Sequence, residues 1–149
     1  SVEMQIRERW VEPVAYAATA LFTIGVIVAL LSYVLDRHPI TADKVFGAVS
    51  AYVLLAVLFA TLFSLLQNVQ PSAFHVNQVN QPSGHLGWSD LLYFSFTVLT
   101  STGFGEITPT THQARSLIVV EQVLGVMYVA FLIARLANMY QSQRDDRQA

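Results

Sequence analysis

Thr100-Ser101-Thr102-Gly103-Phe104-Gly105-Glu106 is the stretch of this 149-residue chain whose residue types are arranged for chemistry. Three hydroxyl residues lead into two glycines around an aromatic residue, and a carboxylate follows. A dehydrated monovalent cation must recover its hydration energy from oxygen ligands. Carboxylates hold it too tightly for release, whereas stacked rings of neutral backbone carbonyls permit both binding and exit. Carbonyls line an axis only if successive residues alternate in conformation, some with positive φ. Glycine takes such conformations at little steric cost, which accounts for Gly103 and Gly105 on either side of Phe104. Gly-x-Gly alone is a weak motif, so the elements around it decide.

Those elements belong in a membrane. Apolar residues make up 54% of the chain and charged residues 12%, with mean hydropathy +0.48. Residues 14–35 and 45–66 are uncharged runs of 22 residues each. At ~1.5 Å per residue each reaches ~33 Å as a helix, enough to cross a ~30 Å hydrocarbon core. Residues 1–12 carry Glu3, Arg7, Glu8, Arg9 and Glu12 and read as a polar lead-in, a short surface helix ending at Pro13. The connection 36–44 is polar, and Thr41 or Asp43 is placed to cap the next helix. Gly47 and the alanines at 48, 51, 56 and 60 offer small surfaces for close helix packing. Residues 67–87, rich in Asn, Gln, Pro, Ser and His, read as an exposed loop.

Residues 88–100 are apolar and aromatic but too few to span, about 18 Å as a helix. That length suits a re-entrant half-helix, capped by Gly87 or Ser89, with Asp90 at the positive end of its dipole. Residues 106–113 return to the surface, and Pro109 there opposes helix. A third apolar run covers 116–140, charged only at Glu121 and Arg135, before a polar tail over 141–149. Irregular backbone at membrane depth survives only where protein buries it or it lines a wet path. The half-helix followed by Gly-Phe-Gly meets that condition when several copies surround an axis.

At residues 100–106 the sequence resembles the potassium-channel pore signature Thr-Val-Gly-Tyr-Gly-Asp. The phrases Ile40-Thr41-Ala42-Asp43-Lys44-Val45-Phe46-Gly47, Ala114-Arg115-Ser116-Leu117 and Ala134-Arg135-Leu136 are similar to a bacterial family of ion-channel proteins with one re-entrant pore loop per chain. That similarity covers about residues 40–140. It implies an all-α membrane protein with a two-helix pore module (outer helix 45–67, pore helix 88–100, filter 101–106, inner helix 115–140). One additional transmembrane helix over 13–36 precedes it, and a cytoplasmic tail over 141–149 follows.

By the same resemblance, the carbonyls of Ser101, Thr102, Gly103 and Phe104 supply the ion-binding rings, the Ser101 hydroxyl closes the inner site, and Gly105 turns the chain outward. The signature is altered at Ser101, Thr102, Phe104 and Glu106, which stand at the usual Thr, Val, Tyr and Asp. None of these changes removes a carbonyl. Phe104 does lose the phenol that braces the filter, and Thr102 adds a hydroxyl that needs a partner. Phe94 stands where an indole donor is frequent. Tyr93 is placed to partner Glu106, and Thr97 to support the back of the filter.

Behind the filter, Gly125 interrupts a helix-forming run, 22 residues after Gly103. A glycine costs a helix ~1 kcal/mol relative to alanine, so it serves either as a gating hinge or for close packing. Val126, Ala130, Ile133 and Ala137 recur at helical spacing and are placed to line a cavity and inner gate. Glu121 is the acidic residue of this span, and an ionised group there costs about 2.5–3.5 kcal/mol. It is expected either to support the filter with Thr97 or Thr102, or to lie near the outer membrane surface.

The basic residues set the expected orientation. Arg37 and Lys44 lie in the first connection and Arg144 and Arg147 in the tail, while 67–87 has no Lys or Arg. The positive-inside rule puts the 36–44 connection and the C-terminus in the cytoplasm and the filter outside, in a cell membrane. An external start at Ser1 and an odd number of spans suggest that further helices precede this sequence in a longer parent.

Several functions are not expected. A net charge of −2 gives no case for a nucleic-acid partner, and the absence of cysteine excludes a disulfide framework. His38, His75, His85 and His112 fall in connections, short of the three or four converging ligands a metal site requires. No His, Ser and carboxylate set marks an enzyme, no arginine repeat marks a voltage sensor, and no cofactor is implied beyond K+ as the permeant ion. The resemblance implies a homotetramer, three further identical subunits with each chain, and the first expectation is that it conducts K+ across the lipid bilayer. The alternatives are a weakly selective cation channel, a transporter subunit with related loops, and a non-conducting membrane interaction protein. A single complete loop per chain argues against the transporter.

Overall fold

The apolar runs fold as helices whose lengths fit the bilayer. The computed structural model describes residues 2–35, 42–76 and 86–145. Along the chain come α1 (Val2–Leu35), α2 (Ala42–Val69), β1 (Phe74–Val76), α3 (Trp88–Leu99), β2 (Ile107–Pro109) and α4 (His112–Asp145). Three of the helices hold apolar stretches long enough to cross a membrane: Val11–Val34, Asp43–Val69 and His112–Arg135. The expected cap Thr41, and Arg37, His38 and His85, lie outside the described residues.

Four boundaries differ from the sequence reading. The lead-in is not a separate helix ending at Pro13, because α1 runs unbroken through that residue. A proline there costs the helix one backbone bond and crowds the carbonyl four residues earlier, a local loss that good helix formers on both sides outweigh. The outer and inner helices are longer than 45–67 and 115–140. Thr111 starts α4 early: its hydroxyl accepts from the Ala114 N–H at 3.3 Å, a side-chain cap for the first turn. At the other end α4 continues into the polar tail as far as Asp145.

The fourth difference lies in the segment read as an exposed loop. Its beginning is core. Ala73, Phe74 and Val76 are buried, and Phe74–Val76 pairs antiparallel with Ile107–Pro109 in the register Phe74↔Pro109, His75↔Thr108, Val76↔Ile107. The two-residue period of a strand turns Phe74 and Val76 inward and leaves His75 exposed. Inside, the rings of Phe63, Phe74 and Phe94 meet with centroids 5.3 to 5.7 Å apart. Edge-to-face and tilted rings at such spacing add to the burial itself. This cluster ties the ribbon to α2 and α3, so both ends of the 100–106 stretch are anchored.

The helices meet through small residues. Ala48, Ala51, Ala56 and Ala60 on α2 are each at most 1% exposed, the close approach that small side chains permit between helices in lipid. α1 packs on α2 through Ala20, Thr23 and Val34, with the Lys44 ammonium over the Tyr33 ring. In contrast, only 11% of the α4 span is buried by its own chain.

Candidate functional site

The site is built from the end of α3. Gly87 caps the helix, donating its N–H to the Asp90 carboxylate at 2.8 Å. Twelve residues then reach ~18 Å. The Ser95 hydroxyl meets the Ala56 carbonyl at 2.8 Å, close to the midpoint of the α2 span, so α3 stops near mid-membrane.

A helix ends with four carbonyls that lack intrahelical partners, and here each finds a donor. Phe96 accepts from the Thr100 N–H at 3.0 Å and Val98 from the Ser101 N–H at 2.9 Å. Leu99 accepts from the Tyr52 hydroxyl at 3.3 Å. The Thr97 carbonyl takes two, from the N–H groups of Thr102 at 2.8 Å and Gly103 at 3.2 Å. The N–H groups of residues 100–103 are thereby turned back towards α3. Among the described residues no donor is directed at the carbonyls of Ser101, Thr102, Gly103 or Phe104.

Backbone handedness completes the arrangement. φ is +56° at Ser101, +56° at Gly103 and +80° at Gly105, and it is not positive at Thr102 or Phe104. Positive φ thus recurs at every second residue from Ser101 to Gly105. The two glycines adopt it without penalty. Ser101 is the single non-glycine residue with positive φ among those described, at a cost of about 1–2 kcal/mol. Residues 101–105 are all exposed, so this turn is accessible from outside the chain.

The side chains around this turn are placed as follows. The Thr102 hydroxyl finds its partner within the turn itself, bonding Thr100 Oγ1 at 2.9 Å. Thr100 donates its one proton to the Phe96 carbonyl at 2.7 Å, which makes Thr102 the donor of the pair. Tyr93 hydrogen-bonds Glu106, and its ring lies parallel to Phe104 with centroids 6.3 Å apart. Lost hydration first, then the Glu106 charge and hydrogen bond, raise the Tyr93 phenol above its ordinary range.

Thr97 supports the turn through its backbone carbonyl, whereas its hydroxyl bonds the Phe94 carbonyl at 2.7 Å. Phe94 faces the aromatic cluster. A cavity of about 160 Å³ lies between the turn, α3 and α4, lined among others by Tyr93, Thr97, Gly103 and Gln122.

On α4, the side chains divide between two faces. Ala114, Glu121 and Gly125 form a buried stripe with the half-buried Tyr128, whose hydroxyl meets the Ala48 carbonyl at 2.6 Å. Glu121 is fully buried and hydrogen-bonds Ser95, neither at the membrane surface nor with Thr97 or Thr102. Gly125 lies directly against Leu99: a Cβ there would collide with the Leu99 carbonyl oxygen and stand 3.0 Å from Leu99 Cδ1. The helix is unbroken at this glycine, which gives it a packing reason. Val126, Ala130, Ile133 and Ala137 are exposed and share another face, about two fifths of a turn away at ~100° per residue.

Two features escaped the sequence reading. Ser95 is an ordinary polar residue in a helix, and nothing in its spacing singles it out. Phe74 could have been found, because the alternation of Phe74-His75-Val76 with aromatic and β-branched residues is a short strand signal.

A half-helix stopping at mid-depth, an exposed turn of alternating φ and two flanking spans define a membrane pore module. A family model described as an ion channel matches residues 48–142, close to two thirds of the chain, and the protein belongs to that ion-channel family. The match begins within α2 and ends within α4, so it takes in the whole carbonyl turn. No curated protein matches the chain at significance. The protein is an ion channel of the multi-pass membrane type.

Proposed function

We propose that four copies of the chain assemble around an axis as a potassium channel. K+ passes through stacked carbonyl rings of Ser101, Thr102, Gly103 and Phe104. The observation that carries this reading is the alternation of φ at Ser101, Gly103 and Gly105, combined with N–H groups pinned to the Thr97 carbonyl. A single strand of carbonyls cannot surround an ion, so the site is complete only with further copies. The uncovered α4 span and the exposed Phe104 ring, 65% accessible, supply surface for that assembly and for lipid. The negative end of the α3 dipole lies beside the inner end of the row and favours a cation there. The basic residues at the α1–α2 connection and in the tail favour a filter mouth facing outside.

A second reading, weak selection among monovalent cations, is favoured by Phe104, which has no hydroxyl to brace the ring diameter. The test is flux from liposomes containing the purified protein, with K+ and Na+ compared and barium present or absent. A barium-sensitive preference for K+ is expected. Equal fluxes select the second reading, and no flux from assembled protein removes both.

A further inference from the structure

We propose that Glu121 is a neutral carboxylic acid inside the membrane, the head of a directed hydrogen-bond chain from α4 through α3 to α2. The argument is a proton count. Ser95 and Glu121 are both 0% exposed. The Ser95 hydroxyl touches two acceptor groups, the Glu121 Oε1 and the Ala56 carbonyl, the latter at 2.8 Å. A serine hydroxyl has one proton.

If Glu121 were ionised, that proton would go to the carboxylate. Ser95 Oγ and the Ala56 oxygen would then face each other with no hydrogen between them. Glu121 Oε2, which has no hydrogen-bond partner, would hold part of a buried charge uncompensated, the costly situation for an acid in apolar surroundings. With the proton on Oε1, every contact has one hydrogen: Glu121 donates to Ser95, and Ser95 donates to Ala56. Only Oε2 stays unpartnered, and as a neutral carbonyl oxygen it loses far less.

The surroundings provide no counter-charge. On α2 the facing titratable group is Tyr52, whose proton is committed to the Leu99 carbonyl, and Lys44 lies three turns away over Tyr33. On α3 there is no basic residue; Asp90 bonds Gly87 near the far end and Tyr93 bonds Glu106. On α4 itself Tyr128 donates to Ala48, and Arg115 is exposed nearly two turns before Glu121. α1 meets α2 through Ala20, Thr23 and Val34, none of which ionises.

Glu121 is thus a positioning residue. With Gly125 one turn on, it grips α3 at Ser95 and Leu99, also one turn apart, and so fixes the depth at which the carbonyl row begins. Neutrality keeps a ring of acids from adding charge beside the ion path. Only this consequence for ion flux rests on the channel reading proposed above; the protonation state does not.

Infrared spectra of the full chain in lipid bilayers at neutral pH test the state directly. Wild type minus Glu121→Gln is expected to show the carbonyl band of a protonated acid, shifted in D2O. Ser95→Ala should shift that band, and it serves as the second variant if Glu121→Gln does not assemble. Loss of a carboxylate band instead, or no protonated-acid band in wild type, overturns the proposal. In flux, Glu121→Gln retains a donor for Ser95 and should keep the K+/Na+ ratio within about twofold of wild type, while Glu121→Ala should lower it by about tenfold or more. Equal damage from both substitutions also overturns it. A protonated band in protein that conducts nothing would sink the channel reading alone.

Discussion

The rings of Tyr93 and Phe104 lie parallel, their planes 2° apart, and the Tyr93 hydroxyl reaches past the stack to Glu106. One residue of α3 therefore holds the 101–106 turn at two points, an aromatic face and a carboxylate. Both the bond and the stack lie within one chain.

Tyr93→Phe keeps the stack and removes the hydroxyl. Tyr93 is 46% exposed, so solvent screening keeps the contribution of this hydrogen bond small. The substitution should leave the fold intact and weaken K+ over Na+ discrimination by a few-fold in reversal-potential measurements. Tyr93→Ala, which removes the ring as well, should do more. Unchanged selectivity in both would show that the turn needs no brace from α3.

Gly125→Ala separates packing from hinge. Alanine gains about 1 kcal/mol of helix propensity, but its Cβ must displace the Leu99 backbone. Overpacking of this kind costs about 1–3 kcal/mol, so the expected net effect is destabilisation or none. Thermal unfolding of the purified assembly should move down, together with altered flux through the shifted end of α3. Altered opening with no loss of stability would instead favour the hinge.

Phe74→Ala tests whether the ribbon matters. The side chain is 7% exposed and contacts Phe63 and Phe94, and deletion of a buried phenylalanine typically costs about 3–5 kcal/mol. Phe74→Leu should cost less. Circular dichroism should show the helices retained in both, with a lowered melting temperature in proportion. A melting temperature unchanged by Phe74→Ala would mean that the ribbon does not stabilise the half-helix.

The spans and the half-helix were legible because bilayer thickness makes length and lack of charge sufficient signals. The alternating turn was legible because Gly103 and Gly105 announce positive φ. Ser101 was not, since its left-handed backbone is imposed by the Thr97 and Val98 carbonyls that hold the N–H groups around it. Partners across elements were harder. Tyr93 and Glu106 were found from register, but Glu121 pairs with Ser95 because the α3–α4 contact sets which faces meet. Thr97 acts through its carbonyl, and no sequence distinguishes a threonine used for its backbone from one used for its hydroxyl.

Ser101 carries the sharpest prediction for the turn itself. Its φ of +56° is a conformation that glycine adopts freely and a β-branched residue resists. Ser101→Gly should relieve about 1 kcal/mol of backbone strain, raising the thermal stability of the assembly while deleting the hydroxyl at the inner end of the carbonyl row. If that hydroxyl contributes an ion ligand, barium inhibition should weaken even as the protein becomes more stable. Ser101→Val opposes the conformation and should abolish flux while helix content is unchanged. A Val variant that conducts like wild type would mean that the left-handed residue is dispensable, and the alternation with Gly103 and Gly105 could not be what directs the carbonyls to one side.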